Sequence, residues 1–195
     1  MKIRILVGVL LGVLLTGCSS KPSEMKYYHL NDTSETSVLG SSPASDNKHY
    51  VQLASIKVPD YLKQSKLVMR TGPYEMHFSA SNLWVQTPEK EIRAALLADL
   101  NSSASDHYFI NFEPTITGKV EHQLHVEITH FFPTEDSEVL LHGSWTLVSQ
   151  NASRTDHKFQ LSQDLSADGY AHAVSRQRVL IAQLAQEINT QLRGK

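Results

Sequence analysis

Leu124, Val126 and Ile128 alternate with Gln123, His125, Glu127 and Thr129, and Leu141, Gly143, Trp145 and Leu147 alternate with His142, Ser144 and Thr146. A repeat of two is that of a strand with one face buried and the other in water. Pro133 to Ser137 lies between the runs as a polar turn, so the two are predicted to pair as an antiparallel hairpin. This pattern restricts the fold more than any other. A one-residue slip in the pairing would turn a whole apolar face to solvent. The hairpin therefore needs an apolar layer on one side, which the rest of the chain must supply.

Two segments supply it by changing period. Over residues 88–102, Ile92, Leu96 and Leu100 recur every fourth residue, with Ala95 and Leu97 beside them. Thr87 stands where an N-cap belongs, Pro88 suits the first turn, and Glu89 and Glu91 complement the positive end of the helix dipole. A second helix is predicted from about Gly169 to Leu192. Val174, Gln177, Ile181, Leu184, Ile188 and Leu192 form its stripe, widened by Leu180 and Ala185. Further strands are read at Tyr27-Tyr28-His29-Leu30, at residues 50–58 and around Phe159 and Leu161. Leu67 to Arg70 and Tyr74 to Phe78 flank Thr71-Gly72-Pro73 as a second hairpin. Pro59-Asp60-Tyr61-Leu62 ends one strand and opens a short helical turn, and Trp84 falls in an irregular stretch. The expected architecture is α+β: a two-layer sandwich whose mainly antiparallel sheet is covered on one face by two helices.

The amino end sets where this domain works. Lys2 and Arg4 precede an almost unbroken apolar run, Ile5 to Leu15, too short to cross a bilayer core of roughly 30 Å. It ends at Leu15-Thr16-Gly17-Cys18, the order that lipoprotein signal peptidase requires, and Cys18 is the only cysteine of the chain. Residues 1–17 are therefore read as a lipoprotein signal peptide, 18–26 as the acylated Cys18 and a tether, and 27–195 as a single domain. Acylation at Cys18 would give firm anchoring, with about 0.8 kcal/mol for each buried methylene. Ser19, in place of an aspartate, points to the outer membrane, with the domain facing the periplasm. From Ser19 to Lys48 the sequence is rich in Ser, Asp, Asn and Pro outside the Tyr27–Leu30 tetrad.

Several chemistries find no support. The formal net charge is −2 with no basic block, which argues against nucleic acid as a partner. Among the ten histidines, His122, His125, His130 and His142 invite a metal. On a regular strand, however, His122 and His130 share a face roughly 27 Å apart while His125 points the other way. His125-Val126-Glu127 lacks the cysteine pair of a zinc deaminase. His142-Gly143-Ser144-Trp145 lacks the Gly-x-Ser-x-Gly elbow, and Ser144 lies inside a strand. No enzyme activity, metal or cofactor is expected. Trp145 is in phase with the core. Trp84 and Tyr61 can each be read as core or as partner-facing, and with Leu62 and Arg70 they are the candidates for contacts with a partner.

Taken together, these segments resemble the PqiC-like ABC-type transport auxiliary lipoproteins. The resemblance runs through Tyr27-Tyr28-His29-Leu30, then Ile56-Lys57-Val58-Pro59-Asp60-Tyr61-Leu62, then Lys66-Leu67-Val68-Met69-Arg70. It continues with Trp84 before a helix, Gly143-x-Trp145 in the hairpin and the Ala/Leu-rich terminal helix. Around Trp84 the chain departs from the family, which has Arg before the Trp and an acidic-Pro-Leu run after it. The resemblance implies a non-catalytic lipoprotein of the outer membrane. It would serve as docking or scaffold subunit for an MCE-domain tube protein that moves lipid between membranes and supports envelope integrity, and it would form a homo-oligomeric ring. The other reading is a monomeric lipid- or lipopolysaccharide-binding assembly lipoprotein.

Overall fold

A computed structural model describes residues 24–31, 49–102, 106–111 and 120–193. The expected signal peptide at residues 1–17, Cys18 and the polar stretch 32–48 lie outside the described residues. In chain order the elements are β1 (Lys26–Tyr28), β2 (His49–Lys57), a 3₁₀ turn (Asp60–Leu62), β3 (Lys66–Gly72) and β4 (Glu75–Trp84). Then come α1 (Pro88–Ser102), β5 (His107–Ile110), β6 (Val120–Pro133), β7 (Glu138–Ser149), β8 (Arg154–Asp164) and α2 (Tyr170–Arg193).

The predicted hairpin is the centre of the fold. β6 and β7 pair antiparallel, with Leu124 opposite Leu147 and Val126 opposite Trp145, and β8 continues the meander. β2 joins on the other side of β6 and β5 beyond it, giving a main sheet ordered β5-β2-β6-β7-β8. β2 runs parallel to both of its neighbours. A smaller sheet, ordered β1-β4-β3, combines a parallel pair with an antiparallel one. The expected α+β arrangement of two helices on a sheet is present, with mixed pairing and the strands divided between two sheets.

Both helices lie on the apolar face of the main sheet. Ile92, Ala95, Leu96 and Leu100 of α1 and Leu180, Ile181, Leu184 and Ile188 of α2 are essentially inaccessible, as are Leu124, Ile128 and Leu141 beneath them. Removing such side chains from water is the main driving force, at about 1.5–3 kcal/mol for each. Arg178 on α2 grips the Asp99 carboxylate of α1 with both terminal guanidinium nitrogens, the longer contact being 2.6 Å. Asn101 closes α1 against β5, exchanging hydrogen bonds of 2.8 and 2.9 Å with the Phe109 backbone. Glu91 is fully buried in the first turns of α1; one carboxylate oxygen accepts from the Leu30 amide at 3.1 Å and lies 2.8 Å from His29 Nδ1. The segment after β1 is thereby tied to the start of α1.

Gly143 shows how tightly the meander is built. It lies between Ile128 on β6 and Phe159 on β8. A β-carbon there would collide with the Glu127 carbonyl oxygen and come within 2.8 Å of the Phe159 ring. Glycine lets the Phe159 ring of β8 approach the strand closely.

The pairing slips by one residue between Ile128 and His130. This bulge corrects one expectation from the sequence. Past it His130 changes face, leaving the side shared with His122 and meeting His142 across the pair. A second correction concerns Trp84, which ends β4 instead of lying in an irregular stretch. β1 pairs with Asn82 to Trp84 and β3 with Leu83, while the Ser79 hydroxyl accepts from the amides of Ser81 and Asn82 across the irregular stretch between them. Tyr74, expected in the second arm of that hairpin, is at the turn and fully exposed.

Candidate functional site

The last third of β6 gathers the surface side chains singled out from the sequence. Pro59 ends β2, and the next residues close a 3₁₀ turn through the Leu62 amide to the Pro59 carbonyl, 3.0 Å, and the Lys63 amide to the Asp60 carbonyl, 3.1 Å. Asp60 and Lys63 pair at 2.6 Å; the Lys63 hydrogen bond, then its charge, hold the Asp60 carboxyl below its usual range. The turn sends Leu62 inward and Tyr61 along the outer face of the main sheet. The Tyr61 hydroxyl donates to the Thr129 carbonyl at 2.8 Å, and its ring meets Phe132 at 5.9 Å between centroids. Burial pushes the Tyr61 phenol up to about 12, opposed by the Phe131 backbone.

Beside Tyr61 the bulge sets His130 opposite His142, their ring centroids 5.0 Å apart and tilted by 55°. Burial, then the neighbouring His130, pushes the His142 imidazolium down. Farther along, Arg70 of β3 forms an isolated bridge to Thr134, and its carbonyl accepts from the Glu135 amide at 3.0 Å. The Arg70 guanidinium reaches Asp136 at 3.3 Å. One end of β6 thus carries Tyr61, His130, His142 and Arg70 along a strip where the two sheets meet.

The other two expected contact residues are corrected by the structure. Leu62 is 2% exposed and Trp84 3%, so neither offers its side chain to a partner. Trp84 lies opposite Tyr28 in the small sheet and stacks on Phe131 of the main one, 6.5 Å between centroids at 19°. It pins the two sheets together, and Leu62 anchors the turn that presents Tyr61. The pair His130–His142 was missed because regular strand spacing does not anticipate a bulge. Among the described residues no group of three or more His, Cys, Asp or Glu is placed to hold a metal ion.

A second concavity, about 640 Å³, opens between β8 and α2. Trp145 and His157 stack at its floor, 4.1 Å apart, beside Leu161, while Gln183, Gln186 and Glu187 of α2 make a polar wall. This wall suits water and polar groups better than an acyl chain.

In class, this is an α+β domain with two helices on one face of a mixed sheet and a smaller sheet at its side. The chain belongs to the family of ABC-type transport auxiliary lipoprotein components, whose pattern it matches over residues 28–189. Intermembrane transport lipoprotein PqiC of Escherichia coli strain K12 is 27% identical over 160 residues, 82% of either chain. PqiC of Shigella flexneri matches to the same extent. A crystal structure of an uncharacterized protein superimposes with a TM-score of 0.73 at 22% identity, over 87% of this chain and 99% of its own. One from Xanthomonas campestris does so with a TM-score of 0.61 at 11% identity, over 75% and 85%. At these identities the two structures establish a shared fold. Family membership makes the chain a membrane-associated lipoprotein with an auxiliary part in transport, and the family is not a class of enzymes.

Proposed function

We propose that this chain is a non-catalytic docking subunit of an MCE-type intermembrane lipid-transport system, acylated at Cys18 and held at the outer membrane facing the periplasm. The observation that carries the reading is the match to PqiC across 82% of both chains, from a protein whose name is intermembrane transport lipoprotein. The strip along β6 is the contact surface in this reading. Tyr61 supplies a half-buried aromatic held rigid by Thr129 and Phe132, and Arg70 a cation already oriented by Asp136. Rigid aromatics and arginines are the side chains that most often dominate protein contacts, since little freedom is lost on binding. Copies arranged as a ring would present several such strips to the end of a tube.

The test is capture of an MCE-domain protein by the mature lipoprotein, compared with Tyr61→Ala and Arg70→Ala. The expected result is capture by the parent chain and a loss of at least about tenfold in affinity, roughly 1.4 kcal/mol, for each variant. Capture unaffected by either variant would move the contact off this strip. A strict monomer that ignores the MCE protein and yields extractable lipid would replace the docking role by lipid- or lipopolysaccharide-binding assembly work.

A further inference from the structure

The outer face of the small sheet exposes side chains that the fold itself does not need exposed. Met25 is 59% exposed, Tyr27 61% and Val85 54%, the largest apolar exposures of the described residues apart from Tyr74. They lie together. The parallel register sets Tyr27 beside Leu83, and the Val85 amide donates to the Tyr28 carbonyl at 2.9 Å. The Tyr27 hydroxyl lies 3.8 Å from the Met25 sulfur. Alternation turns Tyr28 and Trp84 inward, so Met25, Tyr27, Leu83 and Val85 share the opposite face. Lys66, exposed and paired with Leu83 from β3, adds an ammonium at the rim.

Position along the chain says what meets this face. Met25 follows Cys18 by seven residues. At no more than about 3.3–3.6 Å per residue, the patch cannot stray farther than about 25 Å from an acyl anchor at Cys18. We propose that this face rests on the surface of the membrane that holds the acyl chains, with Met25, Tyr27 and Val85 in the headgroup layer and Lys66 reaching lipid phosphates. The proposal rests on acylation of Cys18. Tyrosine suits that layer because its ring is apolar and its hydroxyl wet, and lysine because its stem lies along apolar surface while its charge stays in water. Three part-exposed side chains fall well short of the roughly 800 Å² per partner that a stable protein interface takes. A surface already tethered needs no such area, since its encounter is intramolecular. Contact here would fix which way the strip along β6 points, converting a free leash into an oriented platform.

The experiment uses the mature acylated protein, in which the Cys18 thiol is blocked, so that Val85→Cys and Gln160→Cys each carry the sole free thiol. Gln160 is exposed on β8, at the far edge of the main sheet. Each is labelled with an environment-sensitive fluorophore and reconstituted in phosphatidylethanolamine–phosphatidylglycerol vesicles carrying a headgroup nitroxide quencher. The expected result is a blue shift and several-fold stronger quenching at position 85 than at 160, unchanged as protein is diluted per lipid. Equal quenching at both positions on protein that floats with the vesicles would overturn the proposal and leave acylation standing. Protection at 85 that fades on dilution would assign the face to a second copy and overturn it too. Protein that does not float would overturn acylation and the membrane contact together.

Discussion

The five-stranded sheet hides its apolar face under two helices and shows water a face of His, Thr, Ser and Glu. The three-stranded sheet hides Tyr28 and Trp84 and still leaves Met25, Tyr27 and Val85 outside. The first accounts for its hydrophobic residues within one chain. The second carries more than folding uses. Apolar side chains scattered singly over a surface are ordinary, but a cluster on one sheet face beside the amino end marks a place of contact. In the proposed reading the large sheet is scaffold, and the small sheet and the seam between the two are the surfaces of contact.

That contrast can be broken or sharpened by substitution. The largest effect is expected at the seam. Trp84→Ala removes the side chain shared by both sheets and should cost about 3–5 kcal/mol in chemical denaturation. A cost below about 0.5 kcal/mol would mean that the sheets do not share a core. Next is Gly143→Ala in the scaffold, where a methyl group collides with β6 and the Phe159 ring. About 1–3 kcal/mol should be lost, with reduced yield of folded protein. A neutral result would show that β8 can move aside.

Tyr61→Phe comes third, with the loss of one hydrogen bond and about 0.5–1.5 kcal/mol at neutral pH. Its pH dependence is sharper than its size. Burial raises the phenol from 10.0 to about 12, so the unfolded chain loses this proton first. The contribution is whole below pH 10 and drains away as pH rises towards 12. Parent protein should therefore lose more stability than Tyr61→Phe across that window, and identical losses would place Tyr61 in water. The smallest effect is expected on the outer face of the small sheet. Tyr27→Glu should change stability by no more than about 0.5 kcal/mol while weakening contact with vesicles. A large loss there would make Tyr27 a folding residue and erase the distinction between the sheets.

Much of the scaffold was legible because its periods are long and clean. The β6–β7 hairpin, both helices and the turn bearing Tyr61 appear where alternation, fourfold recurrence and Pro59-Asp60 place them. What escaped was decided by neighbours in space. β5 is only His107–Ile110, too short to show a period, and it exists because β2 and Asn101 satisfy its backbone. The second half of β4 is polar in sequence, and its end is fixed by distant partners, Leu83 between Tyr27 of β1 and Lys66 of β3. Trp84 looked available for contact because nothing local says that Phe131 will lie against it. His130 changed face through one inserted residue, a register event invisible to alternation.

The place of β2 has a consequence in time. It lies inside the main sheet, between β5 and β6, yet it is made before either of these neighbours; Ser55 and His125, hydrogen-bonded at 2.9 Å, are 70 residues apart. The β6–β7–β8 meander closes through short turns and can form within microseconds, as hairpins do. β2 must wait until α1, β5 and β6 have all emerged, because distant parallel pairings are the slow ones. Until then Val51, Leu53 and Ile56 stand on a strand with both edges unpaired, a template for pairing with other chains. How much finished protein is recovered therefore depends on how well the interval before β2 docks is guarded.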